Sequence, residues 1–158
     1  MQNTGLTNSL VRYNDAYSTT WIEYLGPRAW RGHVNVEFRH VPMSQIDAAG
    51  CGINWQTLEG WYLALLHGRP IPPIVVHETE HGRYYAHDGN HRLEALAHFF
   101  GGEAERTLVR VAIARPRRGW VFHRVAYQEY ATYLLSPDGA AYEPGVVREP
   151  GAAENRAV

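Results

Sequence analysis

Residues Arg83-Tyr84-Tyr85-Ala86-His87 form a short β-prone segment, and Leu93 to Phe100 read as a helix that stops at Gly101-Gly102. Between them stands Asp88-Gly89-Asn90-His91-Arg92. A strand that hands over to a helix through a glycine turn commits the chain to sheet and helices packed in layers. The start of such a helix leaves several backbone N–H groups without partners at the positive end of the helix dipole. His91 and Arg92 add donors in the first turn, and the Arg is permanently charged. The pattern is that of a phosphate- or anion-holding turn.

The neighbouring segments fix the order of elements. Val34-Asn35-Val36-Glu37-Phe38 alternates apolar and polar residues, as a half-buried strand does. Val41-Pro42-Met43-Ser44-Gln45-Ile46 leaves that strand for a turn or short helix, with Ser44 as its cap. Asn54 is positioned to cap a helix that runs to His67 and stops at Gly68. Its expected inner face is Trp55, Leu58, Tyr62, Leu65 and Leu66. Arg69-Pro70-Ile71-Pro72-Pro73 is a stiff, extended approach to Ile74-Val75-Val76, a wholly apolar strand expected at the sheet centre. Glu78 to Gly82 turns the chain into Arg83–His87, giving a hairpin. Leu108 to Ala114 is a further strand, with Val109, Val111 and Ile113 on one face and Arg110 on the other. A last helix is expected over Phe122–Leu135. In front, Ser9 to Leu25 holds one or two helices, with Leu10, Tyr13, Tyr17 and Trp21 at helical spacing, and Pro27 ends them.

The fold class that follows is α+β, a small mixed sheet with helices around it. The expected organisation is a helical extension over residues 1–33, a domain over 34–135 and a disordered tail over 136–158, where Pro, Gly, Ala and charge replace apolar periodicity.

Composition removes several functions. With 158 residues, 45% hydrophobic and 20% charged, the chain suits one globular domain. The net charge of −1 gives no global attraction to DNA or to a membrane surface, which leaves only a local basic patch at Arg115, Arg117 and Arg118. The sequence contains no Lys. A Walker-A loop, a Schiff base and a lysine general base are therefore excluded, and phosphate binding must use Arg, His and backbone amides. A single cysteine, Cys51, rules out an internal disulfide framework and a cysteine-rich zinc site. No secretory signal or membrane-spanning run is visible, so a cytoplasmic protein without membrane association is expected.

The order of elements and three motifs, Val41-Pro42-Met43-Ser44-Gln45-Ile46, Pro72-Pro73-Ile74-Val75-Val76 and Asp88-Gly89-Asn90-His91-Arg92, resemble the ParB/sulfiredoxin-like superfamily from about Val36 to Ala114. The turn stands where ParB proteins have G-E-R-R and sulfiredoxins G-C-H-R. The resemblance implies that Gly89, Asn90, His91 and Arg92 contact the phosphates of a nucleotide (ATP, ADP or CTP) with Mg²⁺. It also implies hydrolysis or phosphoryl transfer, as in a Mg²⁺-dependent nucleotide hydrolase or a small-molecule kinase. Two departures narrow it. Asn90 replaces the sulfiredoxin cysteine, so that repair chemistry is not expected. Nor is a full partitioning protein expected, because the chain ends before a helix-turn-helix region and a dimerisation domain would fit.

Around the turn, Asp88 reads either as a helix cap or as a magnesium ligand or base. Glu37 is a solvated strand residue or a catalytic base, and Arg69 is a surface residue or a further phosphate contact. A histidine metal site of His77, His87 and His91 is disfavoured, because the Asp-Gly turn breaks the alignment of the last two. The alternative function is a DNA-associated one, a ParB-like nuclease or a non-catalytic regulator using the arginine patch. A protein partner or a homodimer is compatible with either reading.

Overall fold

A computed structural model describes residues 6–7, 10–48, 52–79, 82–124, 132–137 and 141–142. The strands are β1 (Leu6–Thr7), β2 (Val34–Pro42), β3 (Ile46–Asp47), β4 (Ile74–Glu78), β5 (Tyr84–Asp88), β6 (Thr107–Pro116), β7 (Val121–Arg124), β8 (Thr132–Leu135) and β9 (Ala141–Tyr142). The helices are α1 (Asp15–Thr20), α2 (Trp55–Leu66) and α3 (Asn90–Phe100). Short turns of helix cover Trp21–Leu25, Arg28–Trp30, Met43–Gln45 and Gly101–Arg106.

The longest strand, β6, organises the main sheet. Antiparallel β2 lies along one edge of it from Val34↔Pro116 to Pro42↔Leu108. Its other edge takes β1 in parallel at Thr107–Leu108 and β4 in parallel at Val111–Ile113. Antiparallel β5 continues the sheet beyond β4, and β3 closes it in parallel with β5. The sheet is mixed and the architecture α+β, as the sequence leads one to expect. Ile74, Val75 and Val76 are fully buried at its centre, which is what a run of β-branched residues without polar alternation requires.

The two faces have separate cores. On one face Ile74, Val76, Val109, Val111 and Ile113 meet Leu65, Leu93 and Leu96 from α2 and α3. On the other, Val75, Ala112 and Ala114 are covered by Ile22, Trp30 and Leu134, with Trp21, Trp120 and Phe122 packed against them. The N-terminal extension and the β7–β8 hairpin thus form the second layer that the sheet needs.

Several expected elements change. Phe122–Leu135 is not one helix: Val121–Arg124 and Thr132–Leu135 pair as antiparallel strands. Alternate apolar residues there cover a sheet face, which outweighs local helix preference. Beyond Ser136 the expected disorder falls largely outside the described residues, but Ala141–Tyr142 pair with β8. Ser44 does not cap the Met43–Gln45 turn, which opens at Pro42 without a side-chain cap. Asn54 does cap α2, accepting from the Thr57 N–H at 3.0 Å. The buried face of α2 is Leu58, Ala64 and Leu65, whereas Trp55 and Leu66 are exposed. In the extension, Leu10 and Tyr17 also point outward, and Ile22 and Trp30 point in.

Candidate functional site

β5 ends at Asp88 and α3 begins at Asn90, with Gly89 between them as the N-cap residue at φ 104°. Only glycine enters that region freely. A methyl group on Gly89 would lie 2.7 Å from the Arg92 Nη2 and 3.1 Å from the Ile74 Cδ1. The turn therefore demands glycine for conformation and for space. Leu93 N–H donates to the Gly89 carbonyl at 2.8 Å, which closes the first turn of α3.

Arg92 turns inward. Only 5% of it is exposed, and its Nε donates to the Pro72 carbonyl at 3.0 Å. Its Nη2 donates to the Pro73 carbonyl at 3.1 Å and to Asp88 Oδ2 at 3.3 Å, and its guanidinium lies over the Trp61 ring at 5.4 Å. Burial pulls its pKa down from the usual arginine value, with the Asp88 carboxylate opposing; it stays protonated at neutral pH. These bonds tie the turn to the Pro72-Pro73 approach of β4. Ser18 Oγ of α1 donates to the same Pro73 carbonyl at 2.7 Å, so the N-terminal extension is fastened to the same point.

Asp88 is half-buried and pairs with Arg92; it does not cap α3, whose N-cap is Gly89. His91 accepts the Asn54 backbone N–H through Nε2 at 2.9 Å. Neutral imidazole then carries its proton on Nδ1, where it can donate. Asn54 is the N-cap of α2 and His91 lies in the first turn of α3. The bond therefore holds two helix N-termini side by side, with Gly89 and Asn90 at the junction. Sequence reasoning found both caps but not their meeting.

The other expected residues do not join the turn. Glu37 pairs across β6 with Ile113, Ile113 with Val76, and Val76 with Ala86 on β5. At roughly 4.8 Å per strand, three steps separate Glu37 from β5 by about 14 Å. Its carboxylate accepts from Arg115 Nε and Arg39 Nη2, both at 2.7 Å, and these bonds, Arg115 first, hold its pKa below the usual carboxylate range. A catalytic base shared with Asp88 is thereby corrected to a residue of a surface ion-pair network. Arg115 also bonds Glu78, so this arginine of the basic run is committed while Arg117 and Arg118 are exposed. Arg69 is exposed just past α2, three residues before Pro72.

Of the three histidines, His77 and His87 meet each other, Nδ1 to Nε2 at 2.7 Å, while His91 goes to Asn54. No group of three or more His, Cys, Asp or Glu side chains able to hold a metal occurs among the described residues. Cys51 lies outside them. No helix among the described residues is long and apolar enough to cross a membrane.

No family model matches the chain, and no curated protein matches it. Among solved structures it is similar to SbnI with C-terminal truncation from Staphylococcus aureus, at 24% identity over 54% of this chain and 33% of that one, with a TM-score of 0.39. It is also similar to sulfiredoxin from Arabidopsis thaliana, at 21% identity over 50% of this chain and 85% of that one, with a TM-score of 0.41. The chain spans about a third of the SbnI chain that it matches. A sulfiredoxin is thus among the structural matches of a chain whose motifs resemble the ParB/sulfiredoxin-like superfamily.

Proposed function

We propose that the chain binds a nucleotide by its phosphates at the Asp88–Arg92 turn and acts in Mg²⁺-assisted nucleotide hydrolysis or phosphoryl transfer. The observation that supports this reading is the junction of the α2 and α3 N-termini at the Asn54–His91 bond. Two sets of unpartnered backbone N–H groups face one place, and both helix dipoles favour negative charge there. His91 Nδ1–H adds a donor. In this reading Arg92 contributes its charge from beneath the turn, while its N–H groups hold the loop in shape. That division of labour departs from a direct guanidinium–phosphate fork.

Mg²⁺ fits this turn only as a companion of the nucleotide. Magnesium is commonly held by one or two carboxylates together with phosphate oxygens and water. Asp88 supplies one half-buried carboxylate beside the turn. When bound, the ion would draw charge from the phosphates; Asp88 would orient it, and the amides and His91 would hold the phosphate oxygens.

Binding is tested by thermal shift and titration calorimetry with ATP, ADP, CTP and inorganic phosphate, each with and without Mg²⁺. A ligand that binds only the folded state raises Tm by mass action. The expected result is a Mg²⁺-dependent rise with at least one nucleotide and at least tenfold weaker binding by His91→Ala. Arg92 is unsuited as the probe, because its loss disturbs the loop itself. Absence of any shift with all four ligands overturns the reading.

A further inference from the structure

His77 and His87 form a buried pair on the sheet face opposite α2 and α3. His77 is 3% exposed, and its Nδ1 lies 2.7 Å from the His87 Nε2. A contact this short between two imidazoles requires one N–H and one lone pair, so the pair shares a single proton and each ring is neutral. The rings are covered from two sides. Trp30 of the N-terminal extension meets His87 edge-on at 4.8 Å. Phe122 of β7 lies over His77 at 4.4 Å and reaches His87 at 6.1 Å. Trp30 and Phe122 also touch each other at 5.4 Å. The covering layer that hides the sheet is therefore seated on the histidine pair.

We infer that this pair is a proton-sensitive latch, and that protonating it releases the β7–β8 hairpin from the back of the sheet while the α2–α3 face stays folded. A second proton turns the shared donor–acceptor contact into two N–H groups pointing at each other beneath aromatic rings. The nearby charged groups do not neutralise it. Glu78, the next residue on β4, bonds Arg115 of β6, and that arginine also bonds Glu37. From β5 the neighbour is Tyr85, and from the extension it is Trp30, with His33 further off and stacked on Trp120 at 3.8 Å. Release has somewhere to begin: a cavity of about 580 Å³ lies between His77, Arg115, Trp120 and Phe122, at the edge of the hairpin.

Burial, and then the charge of His77, push His87 well below the ordinary histidine value. The sign follows. A group that is harder to protonate in the closed form favours closure above the ordinary value of about 6.5, and that contribution is lost as pH falls below it. Each additional proton taken up on release changes the opening equilibrium by about tenfold per pH unit in this window.

The test is hydrogen exchange of the full chain between pH 7.5 and 5.0, corrected for the intrinsic exchange rate. Protection of β7 and β8 amides should fall about tenfold per pH unit below about 6.5, with α2, α3 and β6 unchanged. The double variant His77→Asn, His87→Gln replaces the two bonding nitrogens with amides that do not titrate, and its hairpin protection should be flat with pH. A pH dependence that survives in the variant overturns the latch, as does uniform loss of protection across the whole wild-type sheet. Should the variant fail to fold, the imidazole ¹⁵N resonances of the wild type decide. Two rings titrating independently at the ordinary value sink the proposal, and one shared proton that persists well below it, lost together with hairpin protection, supports it.

Discussion

Gly89 shows how much of the turn rests on one position. Its φ of 104° lies where side chains are strained, and the space a Cβ would need is taken by the Arg92 guanidinium and the Ile74 side chain. Gly89→Ala therefore meets two costs together. Backbone strain of this kind is worth about 1–3 kcal/mol, and the contact pushes Arg92 off the Pro72 and Pro73 carbonyls that it satisfies. The expected loss is about 2–4 kcal/mol, since hydrogen bonds to charged groups contribute about 1.5–3 kcal/mol each. Urea denaturation measures it. A loss below about 0.5 kcal/mol, the range of ordinary surface substitutions, would mean that the turn relaxes and that Arg92 is not fixed as described. At this scale the sequence was legible for the glycine and misleading for the arginine. An exposed cation and a buried one read alike in a string of letters. What decides is the pair of proline carbonyls near residue 72, which lose one donor partner each because proline has no N–H to extend a ladder.

The elements themselves divide by where their determinants lie. α2 was readable because its start and stop are local: Asn54 accepts from its own third neighbour, and Gly68 takes φ 68° after His67. Asn54→Ala should cost about 1 kcal/mol, the usual worth of such a cap. The backbone N–H that meets His91 remains in the variant, so the junction of the two helices should loosen without being lost. Thermal or urea melting checks the first part. The His91 side-chain resonance checks the second, and an unchanged tautomer with an unchanged Tm would contradict the capping role. β7 and β8 were not readable, because nothing near Phe122 or Leu134 indicates that they must cover Val75, Ala112 and Ala114, which come from distant parts of the chain. The inner face of α2 was half readable for the same reason. Its apolar residues extend around the helix, and only packing against α3 selects Leu58, Ala64 and Leu65 over Trp55 and Leu66.

At the scale of the whole molecule the question is whether the domain begins at residue 34, where the apolar–polar alternation of β2 begins. The contacts across that boundary argue that it does not. Ile22 and Trp30 are fully buried in the same cluster as Val34, Val75, Ala112 and Ala114. The Asn14 N–H donates to the Ile71 carbonyl and the Ile71 N–H to the Arg12 carbonyl, both at 2.9 Å. Arg110 grips Asp15 with two bonds of 2.9 and 2.7 Å, and Ser18 holds Pro73. Removing a single large buried aromatic costs about 3–5 kcal/mol, and domains of this size have only about 5–15 kcal/mol in hand. A fragment lacking residues 1–33 loses Trp30, Ile22 and these hydrogen bonds together, and it leaves Val75, Ala112 and Ala114 open to water. It should fail to melt cooperatively and should self-associate, as a bared apolar sheet face does. Circular dichroism melting and size-exclusion chromatography decide the matter. A monomeric fragment with a cooperative transition near that of the full chain would restore residue 34 as the start of an independent domain. It would also demote residues 1–33 from half of a core to an attachment. The same fragment tests how the two faces depend on each other, because Pro73 joins Ser18 of the extension to Arg92 beneath the turn. Loss of the extension should reach the candidate phosphate site through that one carbonyl.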